Sequence, residues 1–205
     1  MKMRVTKRDL KLMDWINRAG FVTIHQIAKW LGVAVSTAYL RIKKLVCHGY
    51  LIHERIFHGA PGVYRVSLKG VYISGNALPP LRQIRLSTYH HDLIVIDLSL
   101  ILIARYGGSF VYERELRHQE GQYQLGQKGH ISDGLLTLEE KQIAIEVELT
   151  TKGSRRLAGI VSHYLKSFQY AEVWYFCGSE AIERRLKSLP GAAFIKTYSL
   201  ESVLK

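Results

Sequence analysis

Three apolar stripes at helical spacing, separated by glycines, occupy the first fifty residues and constrain that stretch to three short helices. Thr6 is placed to cap the first, in which Leu10, Met13, Ile16 and Asn17 follow a spacing of three or four up to Gly20. Thr23 is placed to cap a second, with Ile24, Ile27, Ala28 and Leu31 on its inner stripe. Gly32 and Val33 make a tight break, after which Ser36 opens a third helix running to about His48. Ala38, Ile42, Leu45 and Val46 share one face of that helix. Ser36, Thr37, Tyr39, Lys43 and Lys44 share the opposite one, with Arg41 at its flank. Two strand-like runs follow, 51–57 and 63–68, around a tip at 58–62, so that Arg55, His58 and Arg65 give the hairpin a basic character.

The charge is distributed unevenly along the chain. Residues 1–70 hold 13 Lys and Arg against three acids, Asp9, Asp14 and Glu54, whereas residues 71–205 hold 16 against 14. A basic module beside a nearly neutral one suggests a polyanionic partner for the first, a charge serving solubility being the alternative. The same three helices and hairpin can also serve as a protein adaptor, and the charge asymmetry argues against that use. On a DNA-reading module the hydroxyls and lysines of the third helix hold phosphates, while Tyr39 and Arg41 are long enough to touch base edges.

Several classes of function find no support in the sequence. Cys47 and Cys177 form neither a CxxC pattern nor a disulfide framework, which points to a reducing compartment and an expected cytoplasmic location. The longest apolar stretch, 93–104, is too short to span a bilayer and contains Asp97, so no membrane partner is expected. The opening residues carry no signal-peptide core. His90, His91, His118, His130 and His163 lack zinc-ligand spacing, and no Ser-His-Asp or glycine-rich phosphate motif occurs.

Residues 74–80 (SGNALPP) oppose both helix and strand and mark the best boundary, giving a domain over 1–74, a linker over 75–88 and a second domain over 89–205. Residues 92–106 are apolar on most sides, as in a buried helix. Residues 110–116 alternate and predict a strand bearing Glu113 and Glu115. The segment 130–149 holds two alternating runs and predicts a hairpin. With Glu140 and Lys141 as its loop, Asp133 lies opposite Glu148 and Leu135 opposite Glu146. Ile143, Ile145, Val147, Leu136 and Leu138 then share one face, and Asp133, Glu146 and Glu148 the other. Three carboxylates on one face repel each other unless a cation compensates them. Either they form a site for a hard metal such as Mg²⁺, or they make an acidic, solvated sheet face. Downstream, Ser154 caps a helix with Leu157, Ile160, Val161, Tyr164, Leu165 and Phe168 along one stripe. Strands at 171–177 and 193–198 flank a helix at 179–188.

The run TIHQIAKWLGVAVSTAYLRIKKLVCHGYLI, followed by the hairpin, resembles the winged helix-turn-helix of many bacterial regulators. The later order of helix, three strands, helix and strand, with Asp133 opening the second strand and Glu146-Val147-Glu148 on the third, resembles the PD-(D/E)xK nuclease fold. That resemblance implies Asp133 and Glu146 as metal ligands for Mg²⁺ or Mn²⁺, and Asp133, Glu146, Glu148 and Lys152 as candidate catalytic residues. Two departures stand out: Ser132 occupies the place of the proline, and Glu148 stands where lysine is usual. Lys152 is either a displaced lysine or a plain surface one. Together the two halves resemble the replication-relaxation family of plasmid and mobile-element proteins, through the winged module, Tyr89-His90-His91-Asp92-Leu93, HISDGLL and IAIEVELTTKGSRRL with Tyr164.

The expected fold class is therefore α+β or α/β, a winged helix-turn-helix followed by a restriction-endonuclease-like mixed sheet. Two functions fit. One is a sequence-specific duplex binder in replication, mobilisation or its regulation, whose second domain is a platform for a homodimer or for other replication or mobilisation proteins. The other is a Mg²⁺-dependent endonuclease or nickase delivered to its site by the winged module.

Overall fold

Thr6 and Asp9 start the first helix, α1 (Lys7–Ala19), by a reciprocal exchange: the Asp9 N–H donates to Thr6 Oγ1 at 3.3 Å and the Thr6 N–H to Asp9 Oδ2 at 2.7 Å. Thr23 and Gln26 repeat the device at 2.9 and 3.3 Å to start α2 (Ile24–Leu31). Both caps are those the sequence predicts. The computed structural model describes residues 3–121, 130–150 and 153–205 of the chain, apart from the side chain of Ser154. The protein is a mixed α+β structure in two units, Met1–Ile96 and Asp97–Lys205.

In the first unit, Gly32 ends α2 in the left-handed conformation (φ 64°) and turns the chain into α3 (Val35–Cys47). Ala34 precedes α3 without a side-chain cap, so Ser36 lies inside its first turn and does not open it. The hairpin is shorter than its sequence pattern predicts, with β2 (Leu51–Glu54) and β3 (Val63–Val66) joined by a short strand, β1 (Val22–Thr23), in the antiparallel order β1-β3-β2. Ser67 does not continue the strand; it caps α4 (Leu68–Ser74), with its Oγ accepting from the Gly70 N–H. The stretch expected as a linker is tied down. Asn17 Nδ2 donates to the Leu78 carbonyl at 2.8 Å in a buried hydrogen bond, Asn76 Nδ2 donates to Asp14 Oδ1 at 2.6 Å, and Arg65 Nη1 donates to the Leu81 carbonyl at 2.9 Å.

The helix α5 (Tyr89–Tyr106) carries the chain through the division at Ile96. The second unit is built on one five-stranded sheet in the order β4-β5-β6-β7-β8: β4 (Ser109–Tyr112), β5 (Gly134–Leu138), β6 (Lys141–Glu148), β7 (Glu172–Cys177) and β8 (Ile195–Ser199). The first three strands pair antiparallel and the last three parallel. The parallel pairs need crossovers, which α7 (Ser154–Lys166) and α8 (Glu180–Lys187) supply. Leu157, Ile160, Val161 and Tyr164 of α7 pack with Ile182 and Leu186 of α8 against Ala144, Val173, Tyr175 and Cys177 of the sheet.

Three expectations are corrected here. The predicted strand at 110–116 stops at Tyr112, and Glu113–Gln119 forms α6. Its alternation is of charge and not of apolar side chains, and Glu113 pairs with Arg117 one turn later at 2.9 Å. The β5–β6 hairpin turns at Glu139 and Glu140, not at Glu140 and Lys141, with Glu139 in the left-handed region (φ 53°). Its register pairs Gly134 with Ile145 and Leu135 with Ala144, which sets Asp133 level with Glu146 and not Glu148. The difference is two residues, so every side chain keeps its face. On α7 the apolar stripe ends at Tyr164, because Leu165 is exposed and Phe168, beyond the helix, is 98% exposed. A short helix, α9 (Leu200–Leu204), follows β8 without a sequence prediction.

Gly134, beside Asp133, is required by packing. A Cβ there would fall 2.1 Å from the Phe110 ring, which lies over the strand. Gly134→Ala should therefore destabilise the protein by about 1–3 kcal/mol through overpacking. Thermal or urea unfolding measures this, and an unchanged midpoint would refute the packing account.

Candidate functional site

The outer face of α3 is open. Ser36, Thr37, Tyr39, Lys43 and Lys44 are all exposed, while Ala38, Ile42 and Leu45 are buried on the other side, as their spacing predicts. No acidic residue lies in α3. Leu40, which the sequence pattern does not single out, is 64% exposed. At 100° per residue it projects almost directly away from the buried stripe, with Ser36 one turn before it and Lys43 and Lys44 beside it. Leu40, Thr37, Arg41 and Lys44 line a groove of about 530 Å³ together with Thr6, which caps α1, and Arg8 and Asp9 of its first turn.

Arg41 differs from the other candidates. Its Nε donates to Asp9 Oδ1 at 2.8 Å, its Nη2 donates to Asp9 Oδ2 and to the Arg4 carbonyl at 3.1 Å, and Asp9 itself is buried. Burial pushes the Asp9 carboxyl up, but the hydrogen bonds from Arg41 and Thr6 outweigh it and hold the group below its ordinary value near 3.8. Arg41 thus braces α3 against α1. On the hairpin, Arg55 and His58 are exposed. Arg65 is held by Glu54 as well as by the Leu81 carbonyl, so it too is committed within the fold.

The second constellation lies on the α7 face of the sheet. Glu146 and Glu148 alternate along β6 on the face that carries Ala144, and both are buried, at 1% and 3% exposure. They are not part of a solvated acidic face. Asp133, half-buried, accepts the Val147 N–H on Oδ2 at 2.7 Å and so fastens the start of β5 to β6. Glu146 Oε1 lies 2.6 Å from His130 Nε2 and accepts the Tyr164 hydroxyl from α7. Burial, and then the charge of Asp133, push the Glu146 carboxyl above its usual range, with His130 and Tyr164 opposing. Tyr175, paired with Glu146 across the parallel β6–β7 ladder, is 1% exposed, and its hydroxyl finds no hydrogen-bond partner among the described residues. Burial and the charges of Glu146, Glu148 and Asp133 raise its phenol well above the ordinary value.

His130, Tyr164 and Tyr175 were not assigned to this site from sequence. Tyr164 reads there as one more apolar contact of the α7 stripe, and the pairing of Tyr175 with Glu146 depends on a parallel register that local pattern does not encode. Lys152, the candidate displaced lysine, lies outside the described residues. Among the described residues no three His, Cys, Asp or Glu side chains form a ready-made metal-binding group, and no helix is long and apolar enough to cross a membrane.

Against family models, curated proteins and solved structures, the chain finds no match.

The Asp9–Arg41 pair has a definite pH signature. A carboxyl held below its unfolded value contributes stability that is complete above about 3.8 and is lost as pH falls through its folded value. The stability difference between the native protein and Asp9→Asn should be constant near neutrality and shrink in acid. Arg41→Ala, which leaves Asp9 buried and unpaired, should cost about 1–3 kcal/mol at neutral pH. Urea melts across pH check both, and a difference that grows in acid would refute the assignment.

Proposed function

We propose that this is a sequence-specific double-stranded DNA-binding protein, in which α2, Gly32 and α3 act as a helix-turn-helix and β2–β3 as its wing. The observation that carries this reading is the outer face of α3, where exposed hydroxyls and lysines lie with no acid among them. The excess of 13 Lys and Arg over three acids in residues 1–70 supports it, because phosphate contacts dominate affinity for duplex DNA. The exposed Arg55 and His58 of the hairpin fit backbone contacts beside the groove. The resemblance to the replication-relaxation family extends the proposal to replication or mobilisation of a plasmid or other mobile element, in the cytoplasm, with other proteins of that process or a second copy as partners.

A second reading is favoured by the sheet of the other unit. An antiparallel, antiparallel, parallel succession with Asp133 before β5 and Glu146 and Glu148 on β6 supports a PD-(D/E)xK-like arrangement. The donor set fits Mg²⁺ or Mn²⁺ chemically: it offers hard oxygens in negative excess, and the Tyr175 hydroxyl beside them could bond to a water of the ion's shell. Asp133 and Glu146 would hold the ion. When bound, it would lower the pKa of a water and stabilise developing charge on a phosphate. The chain's own contribution is to orient Glu146 through His130 and Tyr164 and to exclude water from that side by α7.

Two measurements test the pair of readings. Lys43→Ala with Lys44→Ala should weaken binding to every duplex and lower the slope of log affinity against log salt by about 0.9 for each phosphate that the two lysines neutralise. A salt slope equal to that of the native protein would refute the placement of DNA on α3. For the second reading, supercoiled DNA should be nicked with Mg²⁺ or Mn²⁺, and Asp133→Asn or Glu146→Gln should abolish nicking without changing duplex affinity. Absence of nicking with both metals would leave the binding function alone.

A further inference from the structure

We infer that Leu40 reads the 5-methyl group of a thymine in the major groove, so that the duplex bound by α3 is selected in part by an apolar contact. This rests on the DNA-binding reading proposed above and names how that same surface discriminates.

The argument begins with what the outer face can offer a base edge. Arg41 is long enough to reach a base, but its Nε and Nη2 are engaged by Asp9 and the Arg4 carbonyl, which holds the guanidinium against α1. The lysines at 43 and 44 suit phosphates better than bases, since their single charged heads carry little geometric preference. That leaves the first two turns of the helix, where Ser36, Thr37, Tyr39 and Leu40 are exposed. Among them Leu40 projects furthest from the buried stripe and is 64% exposed.

One exposed leucine is ordinary on a protein surface. This one stands at the centre of a face otherwise polar and cationic, in a groove it shares with Arg8, Lys44 and the Asp9–Arg41 pair, whose charges offset each other. Phosphates on those two cations would bring the groove floor of the duplex against Leu40. A leucine neither donates nor accepts a hydrogen bond, so the only base feature it can prefer is the thymine methyl, and no other unmodified base carries a methyl in the major groove. Ser36, one turn earlier, can donate to or accept from a neighbouring base edge.

The test uses the full chain. Duplexes are selected from a randomised pool, and each thymine of the enriched site is replaced in turn by deoxyuridine, which lacks only the methyl. Loss of one buried methyl should weaken binding about threefold to tenfold at one or two thymines. Leu40→Ala should bind more weakly overall and respond less than twofold to the same replacement. Because Leu40 is exposed, the variant should melt with the native protein, and the melting curve verifies that it is folded. If a site is enriched but no deoxyuridine replacement matters, or if Leu40→Ala keeps the sensitivity, the methyl contact is wrong while duplex binding stands. If no duplex is enriched over the starting pool, the DNA-binding reading itself falls, and the inference with it.

Discussion

A carboxylate removed from water must find compensation, and in this protein Glu146 sets that demand at the centre of the second unit. It lies on the middle strand of the sheet at 1% exposure. The isolated charge would be prohibitively costly there, so the side chain must be hydrogen-bonded, shifted toward its neutral form, or paired. The first two responses are visible. His130, from the segment before β5, and Tyr164, from α7, converge on the same oxygen, and burial with the nearby Asp133 raises the proton affinity of the group. Three separate parts of the chain are thereby located with respect to one atom. The Asp133 carboxylate extends the arrangement by accepting the Val147 N–H, which holds the open end of the hairpin in register.

That convergence also explains which parts of the structure were legible in the sequence. The parity of β5 and β6 was readable because alternation has a period of two, and the observed register differs from the predicted one by an even number of residues. Faces survive such an error, and pairs do not. The turn itself was misplaced by one residue because its left-handed position is occupied by Glu139, not by a glycine or asparagine that would have marked it. The predicted strand at 110–116 overruns Tyr112 for a related reason: from 113 on the alternation involves Glu and Arg, and charge alternation says nothing about burial. The helices of the first unit were read closely because Thr6 and Thr23 cap locally, through contacts three residues apart. What no local pattern encodes is contact between distant segments. Arg41 and Asp9 are 32 residues apart, Glu146 and Tyr164 are 18 apart, and Asn17 and Leu78 are 61 apart.

The same distinction changes the meaning of the cations on the basic unit. In the sequence, Arg41, Arg65, Lys43 and Lys44 all read as cations available to a candidate interface. In the structure two are committed internally, Arg41 to Asp9 and Arg65 to Glu54 with the Leu81 carbonyl. Lys69 is likewise committed, donating to the His48 carbonyl at the end of α3 and lying 4.4 Å from the Tyr50 ring centre. Each committed cation ties one element to another, so positive charge here is partly scaffold.

Division of labour on α3 follows from that scaffold. On the proposed reading, α3 would have to present its outer face at a fixed angle, because a base contact tolerates little displacement. The Asp9 carboxylate meets this requirement from two directions, starting α1 through the Thr6 cap and holding α3 through Arg41. An arginine that reached freely for a guanine would leave Asp9 buried and unpaired, at a cost comparable to the contact it gained. Arg41 is therefore kept for orientation, and on the proposed DNA-binding reading the side chains left to discriminate bases would be the short hydroxyls, Tyr39 and Leu40.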